Sequence, residues 1–292
     1  MAKSRQLLSN ARTTVVTVAY SSAGVIRDML ASVPETTAVR VVDNASTDGI
    51  AEVVSQYPNS ELVSLPSNVG FGRACNAGAK GVTTEFLFFL NPDAQLKAGA
   101  ISALESFADS NQKLGAANPL LRDAKGSARL KMSSPLPIPA MPRPALDEAG
   151  KMPVLSGGAM FVRRHVFEEL QGFDPAIFLY HEDHDLSLRI VKAGYDLWHV
   201  PHAEGVHAVG TGSLRSTEMA RWKGYHMARS RTYALNKFSP GTGFNGTFWP
   251  AVLGLLGPTN FLSQRRRAKY VGQIKGALSA RSDGGKFEPK SM

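Results

Sequence analysis

Short apolar runs recur through the first 120 residues and alternate with stretches of helical periodicity. Runs rich in β-branched or aromatic residues predict buried strands, here at residues 14–20, 39–42, 61–65, 86–90 and 114–117. Apolar positions on one helical face predict helices, here at 25–33, 46–57 and 98–109, and a glycine-rich turn over 68–76 leads into another helix. Alternating strands and helices indicate an α/β domain with a parallel central sheet.

The alternation ends near residue 120. Residues 133–144 contain five prolines, which predicts an extended, mobile loop. Regular structure resumes near residue 154 with a strand, followed by a helix over 183–193 and a strand over 196–200. From residue 216 onwards the pattern is helical and basic.

The strand at 86–90 is uninterrupted in its apolar character and stops at Asn91-Pro92-Asp93. Proline cannot continue the ladder of hydrogen bonds, so the strand ends there. Ligands of open α/β sheets bind beyond the carboxyl ends of the strands, which is where Asp93 is expected. Its carboxylate could take part in binding a divalent ion with substrate phosphates, or could cap the next helix.

Asp43 ends the second predicted strand and precedes Ser46 and Asp48. An acid there can accept hydrogen bonds from a ribose hydroxyl or a base, and the same cluster can cap the following helix. The first strand is not followed by G-x-G-x-x-G, which argues against an NAD-type site. The pair Gly70 and Gly72 suits a tight turn with a closely packed helix, from which Arg73 could reach a diphosphate.

The segment 180–185 reads Y-H-E-D-H-D and holds three carboxylates and two histidines. Acids suit the start of a helix. Like charges this close also raise one another's pKa, which suits a general base. His207 is a single histidine after an apolar stretch, and alone it is more typical of a structural residue.

The chain has 292 residues, 43% of them hydrophobic, and a formal net charge of +9. This balance favours an anionic partner or a solvated basic surface. The single cysteine, Cys75, excludes an internal disulfide and a cysteine-based zinc site, and is typical of a reducing cytosol. We read no signal peptide and no transmembrane segment. The basic cluster at 265–269 is joined by one aromatic residue, Tyr270, so a nucleic-acid partner is not expected.

Several motifs, taken in order, resemble those of family 2 glycosyltransferases of the GT-A fold, and among them bacterial rhamnosyltransferase-like enzymes. They are T-V-V-T-V-A-Y, V-V-D-N-A-S-T-D-G, N-V-G-F-G-R-A-C-N, L-N-P-D-A, L-S-G-G-A-M-F-V-R-R and G-F-D-P-A-I-F-L-Y-H-E-D-H-D-L-S-L-R. The resemblance covers residues 13–212. It implies a mostly parallel central sheet flanked by helices, with a C-terminal helical extension.

The implied organisation is a catalytic domain over 1–212 and a basic helical extension over 213–292. Within the catalytic domain, residues 13–120 form the donor half and residues 150–212 the acceptor half. The implied reaction moves a sugar, rhamnose in the branch it resembles, from a nucleotide-diphosphate donor to an acceptor hydroxyl with inversion. A non-catalytic nucleotide-sugar binding protein of the same fold is the alternative, because Asn91 stands where the family has the first acid of its D-x-D motif.

The resemblance also implies the residues of the site. Those expected to bind the nucleotide-sugar are Ala19, Tyr20, Asp43, Asn68, Gly70, Phe71, Arg73, Asn76, Asn91 and Asp93. Gly157 and Gly158 form the loop for the acceptor or donor sugar. Asp183 is the expected base, with Glu182 orienting the acceptor or the base. Asp93 and His207 are the expected ligands of Mg²⁺ or Mn²⁺.

The extension places a broken apolar stretch, residues 248–262, before the basic cluster at 265–269. Such a pairing suits a segment on an anionic membrane surface, and equally a helix packed on the catalytic domain or across a homodimer. The expected acceptor is a cell-envelope saccharide or a polyprenyl-linked saccharide. The expected location is the cytoplasm, with peripheral attachment to the inner face of the cytoplasmic membrane under the first alternative.

Overall fold

The computed structural model describes residues 10–207, 216–257, 260 and 263–287. The strands are β1 (Thr13–Ala19), β2 (Ala38–Asp43), β3 (Ser60–Ser64), β4 (Phe86–Leu90), β5 (Ala94–Leu96), β6 (Leu114–Arg122), β7 (Gly150–Lys151), β8 (Ala159–Arg163) and β9 (Asp196–His207). The helices are α1 (Ile26–Ser32), α2 (Ile50–Val54), α3 (Phe71–Ala79), α4 (Ala100–Ser110), α5 (Arg164–Glu169), α6 (Glu182–Lys192), α7 (Thr217–Phe238), α8 (Gly243–Leu256) and α9 (Gln264–Asp283).

These strands form one sheet in the order β3-β2-β1-β4-β8-β6-β9-β5, with β7 paired to β9. The first four in this order are parallel, and β6 and β9 run in the same direction as they do. The mostly parallel sheet is therefore confirmed. β8 lies antiparallel between β4 and β6. That reversal was not predicted, and β8 begins at Ala159 rather than near residue 154.

Strand β4 is the centre of the core. All five of its residues are buried. Phe86, Phe88 and Leu90 pack into one layer, and Leu87 and Phe89 pack into the layer on the opposite face. Each such side chain contributes about 1.5–3 kcal/mol on burial. The strand predicted to be buried on both faces is confirmed, and it brings its carboxyl end to the middle of the sheet edge.

The helix predicted over 46–57 is shorter than expected. It begins at Ile50, with Gly49 in the left-handed region at the cap position. Ser46 and Asp48 do not cap it. Their side chains instead accept backbone N–H groups of the loop after β1, from Ser21 at 3.1 Å and from Ala23 at 2.7 Å. The prediction failed because these acceptors bind across to a neighbouring strand end instead of along their own helix.

The proline-rich segment 133–144 has no helix or strand, as predicted. It is nevertheless anchored, because Leu136 is buried against Ile177, Leu188 and Leu235. The segment thus packs between the helix α6 and the C-terminal helix α7.

The C-terminal helix α7 packs on residues 174–185. Ser230 of α7 donates to the Leu179 carbonyl oxygen at 2.9 Å. Lys237 forms ion pairs with Asp174 and with the fully buried Asp185. The helical extension is thereby confirmed for the described residues. The proposed boundary between 212 and 213, and the apolar residues Phe261 and Leu262, lie outside them. Among the helices that the structure describes, none combines the length and apolar character needed to cross a bilayer.

Candidate active site

The donor side of the site starts at the ends of two neighbouring strands. Ala19 and Asp43 are register partners at the carboxyl ends of β1 and β2. One oxygen of Asp43 accepts the Ser46 N–H at 2.7 Å, while the other has no partner among the described residues. Tyr20 follows β1 and is 47% exposed. A free carboxylate oxygen beside an exposed aromatic ring suits a nucleoside.

Asn44 is a structural residue of this side that the sequence analysis did not single out. It is buried, and its Oδ1 accepts the Val69 N–H at 2.9 Å. Its Nδ2 donates to Oδ1 of Asn68 at 3.1 Å, and that same oxygen accepts the Gly70 N–H at 3.0 Å. Asn44 therefore fixes the 68–70 turn to the end of β2. Its position beside Asp43 in the second motif was the signal that could have found it.

Gly70 connects the donor side to the segment that precedes the expected base. Its φ is +87°, and a Cβ there would lie 2.1 Å from the Phe178 carbonyl oxygen. The same oxygen accepts the Phe71 N–H at 3.1 Å. Only glycine combines this backbone conformation with this approach. Phe71 packs edge-on against Phe173.

Arg73 and Asn76 on α3 are engaged with the protein itself. The Arg73 guanidinium donates to the Pro175 carbonyl oxygen at 2.6 Å and lies over the ring of Phe287. Asn76 donates to the Phe173 carbonyl oxygen and accepts the Phe173 N–H. These contacts give both side chains a structural role, and their assignment to the nucleotide-sugar stays a prediction.

Asn91, Asp93 and His207 lie together at the carboxyl end of β4. The Nε2 atom of His207 is 2.9 Å from Oδ1 of Asp93 and 3.4 Å from Nδ2 of Asn91. A Cβ on Gly158 would lie 3.0 Å from the His207 ring, so a larger residue would require the ring to shift. The pairing of Asp93 with a histidine 114 residues away, expected from the resemblance alone, is geometrically present.

This pair fits a divalent ion that is shared with a substrate. In the part of the chain that is described, no three histidine, cysteine or acidic side chains converge as a complete protein site. One carboxylate and one imidazole do converge, with Oδ1 of Asp93 and Nε2 of His207 2.9 Å apart. Mg²⁺ and similar hard ions are commonly held by one or two carboxylates, with substrate phosphates and water filling the remaining positions. Asp93 and His207 supply such a partial set.

Asp183 is the second residue of helix α6, and its side chain is largely buried. Its Oδ2 accepts the Gly157 N–H at 2.9 Å and the Lys131 ammonium group at 2.6 Å. Its Oδ1 accepts the N–H of the next residue, His184. Lys131 had not been singled out, and no local signal could have found it, because it lies 52 residues before Asp183 in an irregular segment.

The two adjacent carboxyl groups are pushed apart in pKa. Burial raises the pKa of Glu182, and the neighbouring Asp183 charge raises it further. Burial also acts to raise the pKa of Asp183, but Lys131, His184 and the Gly157 N–H outweigh it and hold that pKa below its usual range. The expected rise is therefore found at Glu182. For Asp183 that prediction was wrong, because a distant lysine stabilises the charged form.

The backbone before α6 is strained. Tyr180 and His181 have φ values of +69° and +70°, a region that side chains other than glycine rarely adopt. Among the described residues, neither ring nitrogen of His181 has a hydrogen-bond partner. Burial lowers the pKa of His181 to about 3, with His184 adding to the effect. A residue other than glycine that is held at such a positive φ costs roughly 1–3 kcal/mol of folding free energy, and such residues tend to occur at functional sites.

Two consecutive glycines join the parts of the site. The Gly157 N–H donates to Asp183. Gly158 lies against the His207 ring, and its carbonyl oxygen accepts the Asn91 N–H at 2.9 Å. The expected base and the Asp93–His207 pair therefore lie on either side of one dipeptide. Together with Asp43 and Tyr20 at the ends of β2 and β1, the residues expected to bind a nucleoside, a metal ion and the acceptor proton therefore lie along one sheet edge.

Comparison with known proteins gives this arrangement a family. Residues 14–171 match the model of glycosyl transferase family 2. The chain belongs to glycosyl transferase family 2. A further model, glycosyl transferase family group 2, matches residues 145–267. As a member of this family the protein is a glycosyltransferase, and the enzyme class expected from the sequence is confirmed.

Among its relatives is the N-acetylglucosaminyl-diphospho-decaprenol L-rhamnosyltransferase of Mycobacterium tuberculosis. It is 33% identical over 247 residues, with 70% of this chain and 80% of the relative covered. The rhamnosyltransferase WbbL of Escherichia coli is 24% identical, with coverages of 57% and 71%. Among solved structures, a mannosyltransferase of Pyrobaculum calidifontis with GDP-Man and Mn²⁺ aligns with a TM-score of 0.58 at 16% identity, covering 95% of this chain and 93% of that one. The family 2 enzyme thus has the GT-A fold.

Proposed function

We propose that this glycosyltransferase moves rhamnose from a nucleoside-diphosphate donor to a hydroxyl of a saccharide carried on a polyprenyl diphosphate, with inversion. The observation that carries the proposal is the Gly157–Gly158 dipeptide, in which the Gly157 N–H binds Asp183 and Gly158 lies against the His207 ring. A base and a diphosphate site this close are what a single in-line displacement requires. The relatives named for rhamnosyl transfer support the donor sugar, and the mycobacterial relative's name supports the acceptor.

In this mechanism Asp183 accepts the proton of the acceptor hydroxyl. Gly157 N–H and Lys131 orient its carboxylate in the resting enzyme. Glu182, whose pKa is raised by burial and by Asp183, stays protonated beside it and adds no second charge. One base is enough, since a single displacement needs no enzyme nucleophile, unlike the paired carboxylates of a retaining hydrolase.

On the donor side, Asp43 and Tyr20 receive the nucleoside, and the turn held by Asn44 shapes the pocket. Asp93 and His207 are the residues that would hold Mg²⁺ or Mn²⁺. The ion would stabilise the negative charge that develops on the leaving diphosphate. The mannosyltransferase with Mn²⁺ among the structural neighbours supports this use of the fold.

The helix α8 supports a membrane-bound acceptor. Trp249, Leu253 and Leu256 are spaced for one helical face and are 56%, 68% and 61% exposed. The next helix begins with the exposed residues 265–267, all arginine. An exposed apolar face beside a cluster of positive charge suits an anionic lipid surface. We therefore place the enzyme at such a surface, with a second copy of the chain over this face as the alternative.

One transfer assay tests the proposal. The full chain is given thymidine, uridine or guanosine diphosphate sugars, with Mn²⁺, Mg²⁺ or EDTA, and a polyprenyl-diphosphate saccharide in vesicles of phosphatidylcholine with or without phosphatidylglycerol. We expect inverted transfer from one nucleotide-rhamnose, loss of transfer in EDTA, and faster transfer on the anionic vesicles.

Different failures have different meanings. Donor binding without transfer under every condition would support the non-catalytic alternative. Equal rates on both vesicles, together with a doubled mass in lipid-free solution, would assign the α8 face to a dimer.

A further inference from the structure

A cavity of about 230 Å³ lies beside the base, between the carboxyl end of β6 and the segment 127–131. This volume is well above the roughly 10–15 Å³ that one water needs. Three cationic side chains line it, from Arg122, Arg129 and Lys131, and one carboxylate, from Asp123. Arg122 and Arg129 have no role in the proposed transfer mechanism.

The positive charge of this wall is only partly compensated. Asp123 accepts the backbone N–H groups of Lys125 and Ser127, both at 2.9 Å. Arg122 donates to the Gly126 carbonyl oxygen at 3.1 Å. The carboxylate of Glu204 is near enough to Arg122 for the positive charge to lower its pKa, but it is paired with Lys97 at 2.7 Å.

Arg129 is the most available of the three cations. It is exposed, and across the described ranges of the chain it forms no hydrogen bond and no ion pair. Lys131, two residues further on, is bound to Asp183. A guanidinium without a protein partner on a cavity wall is suited to a bidentate bond with a phosphate.

The position of the cavity identifies its side of the reaction. The expected nucleoside site lies at β1 and β2, on one side of β4, whereas β6 lies on the other side, beyond β8. His207 and Ser156 line the cavity, and Lys131 connects its wall to the base. In an inverting displacement the acceptor and the leaving group occupy opposite faces of the transferred sugar. An anion beyond the base therefore belongs to the acceptor.

We propose that this cavity binds the diphosphate that links the acceptor saccharide to its lipid. The inference rests on the proposed function, since it presupposes a lipid-diphosphate acceptor. In such an acceptor the diphosphate is attached to the sugar that carries the attacked hydroxyl. Arg129 and Arg122 hold the diphosphate oxygens, and the hydroxyl is thereby directed towards Asp183.

The test compares two acceptors that share one saccharide. The first carries a short-chain lipid diphosphate, and the second is the matching alkyl glycoside without phosphate. In Arg129→Gln we expect the KM for the diphosphate acceptor to rise roughly tenfold or more, because a charge-assisted hydrogen bond is lost. The KM for the alkyl glycoside and for the donor should not change. Lys125→Gln, which removes an exposed cation of the same turn that does not line the cavity, is the matched control.

Titration calorimetry with inorganic pyrophosphate gives a readout that does not depend on turnover. The donor site is first saturated with nucleoside diphosphate, and we expect binding to the unmodified chain and to Lys125→Gln, and weaker binding to Arg129→Gln. Pyrophosphate binding that Arg129→Gln leaves unchanged would overturn the inference. So would equal KM changes for the two acceptors, and a raised donor KM would reassign the cavity to the donor diphosphate. Arg129-dependent binding without any transfer would leave the subsite standing and contradict the proposed function.

Discussion

The donor side and the acceptor side of this site are held together by different interactions. On the donor side, Asn44, Asn68 and Asp43 bond to backbone N–H and carbonyl groups or to one another, with partners no more than 26 residues apart. On the acceptor side, Asp183 and Asp185 are buried carboxylates held by lysines 52 residues away, Lys131 before the one and Lys237 after the other.

The difference has an energetic consequence. Removing one neutral hydrogen-bond partner costs roughly 0.5–3 kcal/mol, with the upper values where a buried group is left unpaired. Removing one partner of a buried ion pair costs about 3–5 kcal/mol, because a charge is left uncompensated. The donor side should therefore tolerate substitution with modest losses in affinity, whereas the acceptor side controls both protonation and the packing of the C-terminal helices.

The largest effect is expected from Asp183→Asn. The amide keeps the size of the side chain and can still accept the Gly157 N–H, but it cannot take a proton. General-base catalysis contributes roughly 10²–10⁴-fold, so kcat should fall by that factor with donor affinity unchanged. Steady-state kinetics and donor calorimetry measure the two quantities.

Asp147→Asn, a change at an exposed acid that has no role in the proposed mechanism, is the matched control and should behave as the unmodified enzyme. Near-normal turnover in Asp183→Asn would remove Asp183 from the mechanism. Equal losses in turnover and donor affinity would instead indicate that the substitution disturbs the donor side.

The comparison also explains which features the sequence could predict. The donor side follows from strand ends, since a run such as 86–90 shows where a buried strand stops and places Asp93 at the sheet edge. The motif around Asp43 likewise places a carboxylate beside the end of β1. The prediction that failed there is that Ser46 or Asp48 caps the following helix. Short side chains with an acceptor oxygen suit a helix cap and a bond to a neighbouring strand end equally well, so the sequence does not distinguish the two.

On the acceptor side, the local sequence pattern predicted the helix and the acids at its start, but not the pKa of each acid. The density of acids at 182–185 suggested a raised pKa, which holds for Glu182 and fails for Asp183. The reason is Lys131, whose segment has no periodicity that would place it. The antiparallel direction of β8 was missed for a related reason, because an apolar run indicates that a strand is buried but not which way it runs.

A smaller effect is expected from His207→Ala. The substitution leaves Asp93 as the single carboxylate of the pair at the end of β4. Loss of one ligand should weaken donor binding in Mn²⁺ by about 10–100-fold, a range also seen when groups that support metal ligands are lost. Donor binding in EDTA should be unaffected, and calorimetry in both conditions measures the contrast.

His202→Ala, at an exposed histidine of the same strand, is the control and should keep the full Mn²⁺ effect. An unchanged Mn²⁺ effect in His207→Ala would mean that His207 only supports Asp93 and Asn91 by hydrogen bonding. Donor binding that is weakened equally in Mn²⁺ and in EDTA would point to a structural loss.

The smallest effect on rate at neutral pH is expected from Lys131→Met. In the unmodified enzyme Lys131 holds the pKa of Asp183 below its usual range, so Asp183 remains an ionised base as the pH falls. Without the ammonium group that pKa rises, and an opposite charge at this distance is worth roughly one to three pH units. The acidic limb of kcat/KM should therefore move to higher pH, while the rate above that limb changes little through ionisation.

The groups that face Asp183 define how the profile is interpreted. His184, with Nε2 3.7 Å from Oδ1, has its pKa lowered to about 4 chiefly by burial, and Glu182 has its pKa raised by burial and by Asp183. Lys131 also lowers the pKa of Glu182, so both carboxyl groups should shift upward together in Lys131→Met. Loss of a contact to the acceptor would lower kcat/KM equally at every pH. The position of the limb therefore reports the ion pair, and an unmoved limb would contradict the assignment of Asp183 as the titrating base.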